Sequence, residues 1–323
     1  METATTYIYW RNWEPNRLPV ITRMRGDLCG GRVAILELAT SPGYPSTESE
    51  LSMTLPKLTR RGLIGGIAAT TAIASGVGIA RAQAAPKTFV LVSGAFLGGW
   101  CWRRVSDLLG RDGHKVFTPT LTGLGERSHL LSKSVDLNTH IEDIVNVIKW
   151  ERLTNVCLVA HSYAGFPASG ALEQIGDRVS SIVWLDAFKP ENGQSMRETA
   201  GGPFLASLTG AVEKGEVAFP FPFQAKVPPL LVGEKDAAFV ISKATAQPVA
   251  SYLQPIKLDG AREKVAKKTF IRIPRFPSPT HLDKVLAECK ADKSWNTFEL
   301  AGSGHLAMLD APEQVFEMLL RAT

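Results

Sequence analysis

Val156-Cys157-Leu158-Val159-Ala160 is an unbroken apolar run that stops at His161-Ser162 and gives way to a helical pattern through Ile175. A run this short and this rich in β-branched residues is a strand, and a strand with no polar alternation is covered on both faces. It therefore calls for a parallel sheet with helices on each side. The rhythm recurs along the chain. Phe89-Val90-Leu91-Val92, Lys115 to Thr118, Ser181 to Leu185, Thr269 to Ile273 and Thr297 to Leu300 read as further strands. Trp102 to Leu109, His140 to Trp150, Leu282 to Cys289 and Pro312 to Leu320 read as helices. In the second of these, Ile141, Ile144, Val145 and Ile148 share one face. The fold class is α/β, with a mostly parallel central sheet. The rhythm fails for some eighty residues, about 187–267, too long for a plain loop in a compact domain and fitting a lid or binding insertion.

Residues 57–85 carry a different pattern. Arg60-Arg61 precede a stretch without charge up to Arg81, rich in Ala and Gly, and Ala82-Gln83-Ala84 then has the small-x-small form of a cleavage site. Its large apolar residues are too few for a confident membrane-spanning helix. Thr59-Arg60-Arg61-Gly62-Leu63-Ile64 resembles a twin-arginine export signal, which makes the export machinery a partner of the precursor and places a chain cleaved near Ala84 in the periplasm or outside the cell. A lone amphiphilic anchor is the alternative. An export signal belongs at a start of translation, so Met53 is the expected start, residues 53–84 the signal and 85–323 the folded domain. Residues 1–52 would be an upstream extension without fixed structure.

The net charge of +5 does not imply a nucleic-acid partner. Residues 1–84 hold 9 of the 36 basic and 6 of the 31 acidic residues, which leaves the rest nearly neutral, and no basic stripe is interleaved with aromatics. Beyond residue 84 the cysteines are Cys101, Cys157 and Cys289, an odd number; Cys157 reads as a small core residue. No Cys/His spacing suggests a metal site, and no strand is followed by a phosphate-binding glycine motif, so neither metal nor nucleotide cofactor is expected.

Ser162 lies between a buried strand and a helix, where a hydroxyl projects above the C-terminal edge of a sheet with a helix N-terminus behind it. In Ala160-His161-Ser162-Tyr163-Ala164, alanine replaces both glycines of the G-x-S-x-G nucleophile elbow. A serine that merely caps the helix is the other reading. A hydroxyl needs a base, and Gly302-Ser303-Gly304-His305 follows the last strand in a loop able to bring an imidazole to Ser162. His161 faces away from an exposed Ser162, and His114, His129, His140 and His281 lack comparable context.

These segments together resemble the α/β-hydrolase superfamily, and more closely its branch of plant methyl esterases and hydroxynitrile lyases with bacterial esterase-like relatives. The resemblance spans Lys87 to Leu320. It is carried by the stretch Phe89 to Trp102, by Thr118-Pro119-Thr120-Leu121-Thr122-Gly123-Leu124-Gly125-Glu126-Arg127-Ser128, by the elbow, and by His305-Leu306-Ala307-Met308-Leu309. It implies the α/β-hydrolase fold and an oxyanion hole made by the backbone N–H groups of Ala95 and Tyr163. Two departures stand out: Ser93 occupies a place where relatives often have His, and the elbow glycines are missing. Plant relatives keep the acid after the strand equivalent to Phe270–Ile273, but Pro274-Arg275-Phe276-Pro277 offers no carboxylate. Asp186, at the end of the preceding strand, satisfies the order Ser, Asp, His and is the candidate acid. A turn residue at 186, or Asp283 as the acid, are the alternatives.

The expected activity is hydrolysis of a small carboxylic ester through Ser162, His305 and Asp186 and an acyl-enzyme. Lyases of this branch place a Lys after the catalytic His and a Thr in the first-strand loop, where this chain has Leu306 and Gly94. A non-catalytic receptor on the same fold is the reading from another class. Phe96, Phe204, Phe219, Phe221 and Phe223 are candidates to line an apolar substrate pocket, although the four in the insertion fit a core of the lid equally well.

Overall fold

The structure is a computed structural model, described over residues 85–228, 231–274 and 281–323. The leader, the Met53 start and the cleavage site fall outside the described residues.

Six strands form one parallel sheet: β1 (Thr88–Val92), β2 (Lys115–Phe117), β3 (Val156–His161), β4 (Val179–Leu185), β5 (Lys267–Arg272) and β6 (Trp295–Glu299). Their spatial order is β2-β1-β3-β4-β5-β6, with every neighbouring pair parallel. Every residue of β3 is buried, as its unbroken apolar run requires. Side chains alternate between two cores. Val90, Val92, Leu158, Ala160, Ile182 and Trp184 share one with α2 (Leu137–Trp150) and α3 (Gly165–Ile175). Phe89, Leu91, Val159, Val183, Leu185 and Ile271 share the other with α1 (Arg103–Arg111) and α7 (Pro312–Ala322).

The expected helix at 140–150 begins three residues earlier. Asp136 caps it by accepting from the Thr139 amide at 2.9 Å, in a reciprocal capping box. Strand β5 also begins earlier than its hydrophobicity suggests. Lys268 lies within it, yet its stem is buried and its ammonium donates to the Glu263 and Val265 carbonyls.

Residues 187–266 connect β4 to β5. They hold α4 (Gly202–Glu213), α5 (Glu234–Lys243), four-residue helices at Met196–Thr199, Ala250–Leu253 and Ala261–Lys264, and a two-stranded ribbon pairing Ala218–Phe219 with Gln247–Pro248. The helix α6 (His281–Ala291) joins β5 to β6.

Register fixes what the sheet edge presents. His161 pairs with Leu185, and Leu185 with Ile271. Ser162, Asp186 and Arg272 therefore follow one another along the C-terminal edge, each one residue past an aligned row. Open parallel sheets place their sites at this edge.

Candidate active site

Ser162 has φ 54°, and Asp186 and Phe96 have φ 46° and 67°. A non-glycine residue in this left-handed region carries about 1–2 kcal/mol of strain, retained only where the surroundings impose it. Three of the five such residues among those described surround one point above β1, β3 and β4; the other two, Arg152 and Asn155, lie between α2 and β3.

The elbow turns without its usual glycines because close approach occurs elsewhere. Ala160 and Ala164 are fully buried and tolerated. A Cβ on Gly165 would lie 1.8 Å from the Phe188 carbonyl oxygen, and one on Gly94 would lie 2.8 Å from Ser162 Cβ. The need for glycine has shifted to one residue beyond the pentapeptide and to the facing loop. The Phe188 amide also donates to the Ser162 carbonyl at 3.0 Å, which stitches the loop after β4 onto the elbow.

That loop carries Asp186, with no solvent exposure. Its Oδ2 accepts from His305 Nδ1 at 2.6 Å, and its Oδ1 accepts from Arg272 Nη1 at 2.8 Å and from the Ile273 amide at 3.0 Å. Asp283, the alternative acid, sits on α6 with its carboxylate half exposed, and binds Arg272 Nε at 2.8 Å. Of the two carboxylates weighed, Asp186 is the one that meets His305.

His305 is held on both sides of its loop. The Gly304 amide donates to Asp310 Oδ2 at 2.8 Å, and the Leu306 amide donates to the Leu231 carbonyl at 2.7 Å. Leu306 itself is buried. The His161 and His305 ring centroids are 4.6 Å apart, and His161 Nε2 donates to the His305 carbonyl at 3.0 Å. His161 thus does turn into the core, as expected, but it also braces His305 from the position immediately before Ser162. Burial, and then the proximity of His305, hold the His161 imidazole well below its usual pKa, so it stays neutral.

The Ala95 amide has no hydrogen-bond partner among the described residues, and the Tyr163 amide opens the turn Ser162–Ala164, where first-turn donors have no partner within the helix. The Tyr163 ring is fully buried; its hydroxyl pairs with His140 Nδ1 at 2.9 Å and donates to the Ser251 carbonyl at 3.4 Å. Burial raises the Tyr163 phenol and lowers the His140 imidazole, which keeps both neutral. Gln247, fully buried, accepts from the Phe96 amide at 3.1 Å, while the Phe96 carbonyl accepts from the Thr245 amide at 3.0 Å. Sequence reasoning missed Gln247, His140 and Arg272. His140 lacks context in the sequence and the other two give no signal of their own, and only the fold makes the three neighbours of the site.

The candidate pocket aromatics divide. Phe96 lies 6.0 Å from Phe219 and 5.5 Å from Phe221, and Phe204 and Tyr252 close the cluster behind Phe219. Phe223 meets Phe221 edge-on at 5.6 Å. Phe221 also lines a cavity of about 310 Å³ with Pro220, Gln224, Ile241 and Thr245.

A model of the alpha/beta hydrolase family matches residues 89–318. The chain belongs to the α/β hydrolase family. Among curated members, the carbendazim hydrolyzing esterase of Nocardioides sp. (strain SG-4G) is 33% identical over 240 residues, which are 72% of this chain and 97% of that protein. Putative methylesterase 11, chloroplastic, of Arabidopsis thaliana is 24% identical over 251 residues, 72% of this chain and 63% of that protein. An extracellular α/β hydrolase from a Paenibacillus species superposes with a TM-score of 0.65 at 21% identity, covering 73% of this chain and 99% of that structure. This hydrolase therefore stands in the esterase branch, as its motifs implied.

Proposed function

We propose that the chain is a carboxylic ester hydrolase that works by nucleophilic catalysis, with Ser162 as nucleophile, His305 as general base and Asp186 as the acid that orients the base. The observation that carries this reading is the 2.6 Å His305–Asp186 bond beside a serine held at φ 54°. The esterase relatives support the reaction class.

An ionised carboxylate only accepts, so His305 carries its proton on Nδ1 and its lone pair on Nε2. Nε2 takes the Ser162 proton as Oγ attacks the ester carbonyl, and Asp186 stabilises the imidazolium so formed. The Ala95 and Tyr163 amides donate to the tetrahedral oxyanion, each worth about 3 kcal/mol of barrier. The proton on Nε2 then passes to the departing alcohol. Water, giving a proton to the same nitrogen, cleaves the acyl-enzyme; collapse releases the acid and returns the proton to Ser162. The rings of Phe96, Phe204, Phe219 and Tyr252 favour a small ester with an aromatic or otherwise apolar group.

A fluorophosphonate probe is expected to leave one covalent adduct, mapped to Ser162. Ser162→Ala should lose the adduct and at least about 10³-fold of its turnover of short-chain chromogenic esters. Hydrolysis no greater than that of Ser162→Ala would instead favour a receptor on the hydrolase fold. We also propose export of the precursor with cleavage after Ala84. Intact mass of the exported chain should give a species beginning at Ala85.

A further inference from the structure

The carboxylate of Asp186 is held on the side away from His305 by a second charge. Arg272 is the last residue of β5, next to Asp186 in the register of the sheet, and only 2% exposed. Its Nη1 reaches Asp186 Oδ1 at 2.8 Å and the Ile273 carbonyl at 2.6 Å, and its Nε reaches Asp283 at 2.8 Å. The guanidinium is thereby fixed between a buried carboxylate and an exposed one. A buried cation is tolerated only with such partners.

We propose that Arg272 is a positioning residue for this site: its guanidinium clamps Asp186 Oδ1, so that Oδ2 of the same carboxylate stays aimed at His305 Nδ1. The inference rests on the triad reading above and goes beyond it by assigning the aim of the acid to the last residue of β5.

The test is steady-state kinetics on a chromogenic ester with the full-length protein, run as a double-mutant cycle with Asp186→Asn. Arg272→Gln should lower kcat about tenfold with KM little changed, and should cost nothing further in the Asp186→Asn background, because it acts through that carboxylate. Arg272→Lys, which keeps the charge but loses the fork, should recover part of the lost kcat. Equal losses from Arg272→Gln in both backgrounds, or a loss confined to KM, overturn the proposal. If circular dichroism shows Arg272→Gln unfolded, Arg272→Lys carries the same cycle. Full activity in Asp186→Asn removes the triad reading itself, whereas an inactive Asp186→Asn beside a fully active Arg272→Gln removes only the role of Arg272.

Discussion

Strands β1, β3 and β4 deliver Ala95, Ser162 and Asp186 within three residues of their C-terminal ends, whereas residues 187–266 approach the same space with two-residue strands, four-residue helices and aromatic rings. In the first region position is set by ladder hydrogen bonds that run the length of the sheet. In the second it is set by ring packing and by a few side-chain bonds such as Gln247 to Phe96. On the function proposed above, the contrast assigns chemistry to the sheet edge and selection to the insertion, and it makes kcat and KM separable readouts.

The largest effect is expected at Asp186. Asp186→Asn keeps the shape but replaces an acceptor with an amide that cannot satisfy His305, Arg272 and the Ile273 amide together. It should cost about 10³–10⁴-fold in kcat, with KM little changed. Steady-state kinetics on purified variant and parent check it. A rise in KM alone would move Asp186 from the chemistry to binding and break the division.

Gln247→Ala comes next and tests whether the insertion touches the chemistry after all. Its loss unpairs the buried Phe96 amide, worth about 1–3 kcal/mol, and frees a residue at φ 67° to relax. Ala95 precedes Phe96, so its amide should shift from the oxyanion, with kcat expected to fall about tenfold. An unchanged kcat would sharpen the contrast by confining the insertion to selection.

What the sequence made legible follows the same line. Strand periodicity, the elbow and the glycine-rich loop before His305 are short-range patterns, and they located all six strands and singled out Ser162 and His305 as candidates. Asp186 was named only as a candidate, because its partnership with His305 spans 119 positions and depends on the register of β4 against β5. Arg272 was not singled out at all. A single arginine in an apolar strand gives no periodic signal, and its purpose emerges only when the edge of the sheet puts it beside a carboxylate. The elbow alanines show the same limit from the other side: steric demand at Gly94 and Gly165 comes from Ser162 and the Phe188 carbonyl, which the pentapeptide alone does not reveal.

Phe219→Leu should give the smallest change and a different kind of change. Phe219 is nearly buried and touches Phe96, Phe204 and Tyr252, so leucine keeps most of the apolar contact while opening space beside the site. For an ester with an aromatic group, lost ring contact of about 0.5–1 kcal/mol should raise KM roughly threefold with kcat unchanged. An ester with a short alkyl group, which makes no ring contact, should show no rise. Comparing the two substrates on parent and variant separates loss of an aromatic contact from general loosening of the insertion, because loosening would raise KM for both. Equal rises would mean that Phe219 supports the fold of the insertion rather than choosing what enters it.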